Sequence, residues 1–161
     1  MNADLQAYLE GSDDILMLGI NLQAGVHNRW FCDQLEDMSV TVGGVVKTLE
    51  ARACLAMWPK RMGNGDFSTS VQIDDVDDEI SGLLTNHGFS EVNVDLYLFL
   101  ESHKLALGSL MQPVLVMPFR AESLSADGSI ANFSCKRPDI INKKYPVDLY
   151  EPDKYPGLEA V

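Results

Sequence analysis

Positive charge and cysteine are both scarce in this chain. Its 161 residues carry 12 Lys and Arg against 24 Asp and Glu, a formal net charge of −12. A surface short of cations cannot replace the counterions along a phosphate backbone, and an anionic membrane surface does not attract it. Specific nucleic-acid binding and a membrane partner are therefore not expected. Cysteine occurs only as Cys32, Cys54 and Cys135. An odd count at wide spacing, with no CxxC pair, supports neither a disulfide framework nor a zinc or thioredoxin-type motif. It predicts three reduced thiols in an intracellular protein. No apolar run approaches the ~20 residues that span a bilayer. Met1–Glu10 lacks the basic start and apolar stretch of a secretory signal.

Catalytic signatures are missing as well. His27, His87 and His103 stand apart, with no i, i+4 pair and no HExxH setting. A zinc or iron–sulfur site would need the fold to gather Cys32, Cys54, Cys135 and a histidine, which their spacing does not suggest. There is no GxSxG, no P-loop and no GxGxxG after a strand; Met62-Gly63-Asn64-Gly65 has the glycines but neither a lysine nor a following helix. The densest carboxylates are Asp74, Asp75, Asp77, Asp78 and Glu79. They fail as a calcium loop, because the sixth position from Asp74 is Glu79 and the twelfth is Thr85. They read instead as an acidic helix start, where peptide dipoles favour negative charge, or as a face for a basic partner. No catalytic, cofactor-binding or metal-binding residue is nominated, no cofactor is expected, and the chain reads as a non-enzyme.

What is present is strand patterning in a length that fits one domain, residues 1–161. Val92, Val94, Leu96, Leu98 and Leu100 share one parity, and Asn93, Asp95, Tyr97 and Phe99 the other, the alternation of a strand. Thr48 to Trp58 alternates too, with Leu49, Ala51, Ala53, Leu55 and Met57 as the inward row, and Pro59 ends it. Gly43-Gly44 between Val40–Val42 and Val45–Val46 predicts a hairpin. Residues 60–66 read as a loop and 67–73 as a strand. Residues 114–120 and 129–135 form a second predicted hairpin through Ser123–Gly128, with Asp127-Gly128 as its turn. Residues 15–22 are apolar but too short for periodicity to choose between strand and helix, and Gly25–Arg29 reads as a loop. Two helices are expected. One is short, over 3–10, and stops at Gly11. The other starts with Asp75 as cap, carries the stripe Val76, Ile80, Leu83 and Leu84, and stops at Gly88. The fold class is mainly β with one or two short helices (α+β), an antiparallel sheet of sandwich or barrel-like form.

The composition shifts near Lys136. Residues 1–135 hold all of the net charge, whereas 136–161 balance five acids with five bases. Pro138, Pro146, Pro152 and Pro156 disfavour helix, and Tyr145, Tyr150 and Tyr155 recur between them. Residues 138–161 read as an extended Pro/Tyr-rich arm. Tyrosine buries a large area at small entropic cost, so the arm suits either its own domain or a neighbouring subunit.

The order of features over 38–158 resembles an uncharacterised minor tail or tail-tip (baseplate hub-associated) protein family of long-tailed bacteriophages. The resemblance rests on VQIDDVDDEISGLL (71–84), VNVDLYLFLES (92–102), the strand pair that follows, and DIINKKYPVDLYEPDKYPGL (139–158). Tyr145-Pro146 and the ending Tyr155-Pro156-Gly157-Leu158 look like that family's aromatic-proline features. Residues 1–35 match less well. The resemblance implies a structural virion protein of the tail tip or baseplate, made in the host cytoplasm. It would form part of a homo-trimer or homo-hexamer ring joining the tail tube or distal tail ring to the hub or central fibre protein. Tyr145, Pro146, Tyr150, Tyr155, Pro156 and Leu158 would be its partner-binding residues, and its acidic body could line a DNA channel. A soluble β-rich adaptor or ligand-binding domain outside a virion, and a small enzyme with an unrecognised site, are the alternatives.

Overall fold

A computed structural model describes residues 6, 10–11, 13–61, 67–82, 92–105, 110–127 and 129–137. Ten strands form one sheet: β1 (Leu16–Ala24), β2 (His27–Cys32), β3 (Met38–Val42), β4 (Val45–Ala51), β5 (Cys54–Ala56), β6 (Lys60–Arg61), β7 (Phe67–Asp74), β8 (Val92–Leu100), β9 (Leu115–Asp127) and β10 (Ile130–Arg137). The path runs β3-β4-β2-β1-β8-β9-β10-β7-β5, with β6 also on β7. All ladders are antiparallel except a two-residue parallel contact of Phe31 and Cys32 with Glu50 and Ala51.

Glycine chemistry sets two of the hairpins. Gly43 and Gly44 both have positive φ (58° and 79°), as a type I′ turn requires, and join β3 to β4 as expected. Gly25 (φ 57°) begins a two-residue turn with Val26, and Ala24 pairs His27 across it. The loop expected over Gly25–Arg29 is therefore only that turn, and β2 starts at His27. The 15–22 segment resolves as strand β1, because β2 and β8 flank it over its length. The β9–β10 hairpin forms, but β9 runs to Asp127 and the register shifts beside Ser134/Cys135. Pairing of β10 with β9 stops at Lys136 opposite Arg120. Pro118 lies past that point, where β9 is paired only on its β8 side, opposite Asp95.

The expected single strand over 48–58 is two strands. Arg52 and Ala53 break it, and they join opposite ends of the sheet: Arg52 N–H donates to the Cys32 carbonyl of β2 (3.0 Å), and the Ala53 carbonyl accepts from Asp74 N–H of β7 (2.8 Å). The sheet thus curls until β2 and β7 nearly meet, yet no ladder joins them and it is not closed into a barrel. The concave face holds the main core, including Ile20, Leu22, Phe31, Val71, Ile73, Val94, Leu96, Phe119 and Phe133. Each such side chain contributes on the order of 1.5–3 kcal/mol through burial. A second core lies on the outer face of β1 and β8, where Leu49 and Val40 of the β3–β4 hairpin cover Met17, Tyr97 and Phe99. The Thr41 N–H donates to the Met111 carbonyl (2.8 Å), so the segment after β8 ties down the hairpin's edge.

Helix is sparse. Residues 79–82 are helical, Glu101–Leu105 form a 3-10 helix, and Glu10 N–H donates to the carbonyl of helical Gln6 (3.0 Å) just before Gly11. Val76 is not part of a helical stripe: it stands in the preceding turn, 72% exposed, while Ile80 is buried. Leu83, Leu84 and Gly88 lie outside the described residues, as do residues 62–66 of the expected loop. Lys60 and Arg61, also expected in that loop, pair with β7 as β6.

Candidate interaction surface

Strand β5 ends the sheet, and among the described residues its outer edge pairs with no strand. Such an edge offers backbone donors and acceptors to another chain. Past β5 the chain stays on β7: Met57 N–H donates to the Ser70 carbonyl (2.9 Å), and Thr69 Oγ1 donates to the Met57 carbonyl (2.5 Å). Because β5 is pinned to β7 and not to β4, its side chains do not continue the inward row of Leu49. Leu55 is 57% exposed and Met57 and Trp58 are similarly open, which overturns the expectation that Leu55 and Met57 face inward. Phe67, first residue of β7, is 38% exposed. Trp58 and Phe67 form the apolar rim of one groove, whereas Leu55, paired with Gln72, lies on the other face of the sheet.

The rim borders a cavity of about 210 Å³, lined by Trp58, Pro59, Phe67, Met117, Phe119 and Arg137. Phe119 is buried and forms part of the floor. Ligand pockets run to roughly 300–1,000 Å³, so this groove suits one inserted side chain and not a small-molecule substrate. Ladder register brings two cations to its face, since Arg61 and Arg137 both pair with Phe67, whereas Lys60 and Lys136 pair with Ser68 on the other face of the sheet. Lys136 stands opposite Arg120, a like-charged cross-strand pair that is unfavourable without an anion nearby. Glu122 supplies part of that compensation, 3.7 Å from Lys136.

The far end of β7 is acidic and internally satisfied. Asp75 is buried, and its carboxylate accepts from Ile80 N–H and Ser81 N–H, both at 2.7 Å. It caps the helix from within the turn, while Asp78, in the left-handed region at φ 54°, directly precedes the helical residues. Arg52 binds Asp77 through two N–H···O contacts of 3.1 Å, reaches Glu50 at 2.9 Å, and lies over the Phe31 ring. These bonds hold the Asp77 carboxyl below its ordinary value. Arg29 pairs with Glu79. Asp77 and Glu79 remain half-exposed beside their arginines, so the cluster is a capped helix start with a solvated face.

Other candidates resolve in the same direction. Burial raises the thiol pKa of Cys32, and raises Cys54 and Cys135 to about 12, so all three free cysteines stay protonated and are poor ligands or nucleophiles near neutral pH. Among the described residues, no group of three or more His, Cys, Asp or Glu could hold a metal. A wider depression of about 430 Å³ lies by the β2–β3 loop, lined by Gln34 to Ser39, Leu110 and Met111. There Asp37 already accepts from Ala51 N–H (2.9 Å). No described helix is long and apolar enough to cross a membrane. Tyr145, Pro146, Tyr150, Tyr155, Pro156 and Leu158 lie outside the described residues.

No protein-family model and no curated protein sequence matches the chain. A solved chain from the "Virion of native gene transfer agent (GTA) particle" superposes with a TM-score of 0.56 at 15% identity, covering 93% of this chain and 49% of that one. The likeness is one of fold, and this chain spans about half the length of the chain it matches.

Proposed function

We propose that this chain is a structural protein of a phage-like virion, placed at the tail tip in a ring between the tail tube and the hub or central fibre. The observation that carries the reading is the curled ten-stranded sheet, whose fold over nearly the whole chain is shared with a chain of a gene transfer agent virion. An unpaired, apolar β5 edge and a shallow cation-rimmed groove support a protein partner more than a substrate. Rings use heterologous interfaces, in which different patches of successive copies meet. An apolar edge on one side and a Pro/Tyr-rich segment leaving at Arg137 are two such patches. Three or six copies would close the ring, and the acidic body would present a like-charged wall to passing DNA.

The reading is tested by deleting 138–161 in the genome that encodes the chain. The expected result is a folded 1–137 protein, with the strand signature of the full chain by circular dichroism, and particles arrested before the tail tip forms. Normal, infective particles from the deleted genome would refute the assembly role. Loss of folding would place the segment in the protomer's own core.

A further inference from the structure

The geometry points to one occupant for the Trp58–Phe67 groove: the acidic tyrosine segment Asp148–Asp153 of a second copy of this chain. The inference rests on the assembly reading above and names the contact that makes it. Two observations carry it.

The first is chemical fit. The groove has an aromatic wall in Trp58 and Phe67, a buried floor in Phe119, and two cations on its face, Arg137 in its lining and Arg61 opposite Phe67. Its occupant should place one flat, mostly apolar side chain inside and carboxylates outside. Within 138–161 only Asp148-Leu149-Tyr150-Glu151-Pro152-Asp153 joins a tyrosine to three acids with no base among them. The other two tyrosines sit beside lysines, Lys144-Tyr145 and Lys154-Tyr155. Charge complementarity therefore selects Tyr150 among the three.

The second is reach. The segment leaves from Arg137, which lines the groove itself. Pro138, Pro146 and Pro152 bias the residues before them to extended backbone. An extended chain advances about 3.1 Å per residue, so Tyr150 can stand roughly 40 Å along the chain from Arg137. A domain of this size is roughly 35–40 Å across, from the scaling of its radius of gyration. The segment is thus long enough to place Tyr150 on the equivalent groove of an adjacent copy. Each copy would give a tyrosine and receive one, the head-to-tail pattern a ring requires.

The test titrates a synthetic peptide of residues 145–156 into the full-length protein, kept below any concentration at which it self-associates. The anisotropy of a fluorophore on the peptide is the readout, so that every protein variant, Trp58→Ala included, is measured in the same way. The expected result is saturable one-to-one binding that Trp58→Ala in the protein weakens at least tenfold and that Tyr150→Ala in the protein leaves unchanged. A Glu151→Lys peptide should bind more weakly, even though it lowers repulsion from a chain of net charge −12. Trp58 is 60% exposed, so its replacement should not unfold the domain. Two outcomes overturn the inference. Binding seen only after Tyr150→Ala in the protein would show that the chain's own segment fills the groove. No binding to either protein, or binding indifferent to Trp58→Ala, would show that the groove is not the seat. Both outcomes leave the deletion test of the assembly role standing by itself.

Discussion

Gly19 on β1 lies directly beneath Leu49 of the β3–β4 hairpin: a Cβ built on Gly19 would stand 2.9 Å from Leu49 Cδ2 and 2.9 Å from Phe99 Cε2. This close approach seats the hairpin on the outer face of the sheet and seals the second core. Leu49 and Phe99 are fully buried, so neither has open space to move into. Gly19→Ala is expected to destabilise the fold by about 1–3 kcal/mol, the usual cost of overpacking. Chemical denaturation measures it. In a Leu49→Ala background the same change should cost less, with the Phe99 contact remaining, and equal costs in both backgrounds would contradict the Leu49 contact.

Asp75 holds two backbone N–H groups at the start of the helix. Asp75→Ala leaves both without that acceptor in a buried setting, and a loss of about 1–3 kcal/mol is expected. Hydrogen exchange at Ile80 and Ser81 should quicken more than exchange across β8. Unchanged exchange at those two amides would show that the carboxylate is not their acceptor.

Arg52 lowers the pKa of Asp77 in the folded chain from an ordinary value of 3.8. A depressed folded pKa stabilises the protein above the unfolded value, and that contribution fades as pH falls through the folded one. Asp77→Asn should therefore flatten part of the stability–pH curve below about pH 4. NMR titration of the Asp77 carboxyl should show its midpoint rising in Arg52→Ala. A midpoint that stays put would remove Arg52 as the cause.

Cys32 and Cys135 are buried and their thiols are shifted upward, Cys135 to about 12. At pH 8 a disulfide-exchange reagent should label neither in the native protein, and should label all three cysteines once the chain unfolds. Fast native labelling of Cys135 would contradict its place against Thr69 on β7.

Much of this fold is legible in the residues, and the gaps have physical causes. The Gly43-Gly44 turn and the alternation of Val92–Leu100 are local, because positive φ and side-chain parity belong to single strands. The break at Arg52–Ala53 is not local. Both residues continue an extended-looking stretch, and only the ladder partner changes, from Cys32 on one side to Asp74 on the other. The outward turn of Leu55 and Met57 follows from it, since side-chain parity does not carry across a change of partner. Tyr97 and Phe99 alternate as an outer row, and their burial depends on a hairpin from 50 residues earlier in the chain, which no period reveals. The groove is harder still. Trp58, Phe67, Met117, Phe119 and Arg137 come from four stretches of sequence, and register brings them together. Its one local mark in the sequence is Trp58-Pro59 at the end of an alternating run.

Placement of the chain in a particle tests the central claim most directly. Electron cryomicroscopy of the virion that carries it should show the curled ten-stranded body repeated three or six times around the tail axis at the tip, with residues 138–161 of each copy lying on the β5–β7 edge of the next. A map in which every tail-tip density is accounted for by other chains, with this one absent from the particle, would contradict the account.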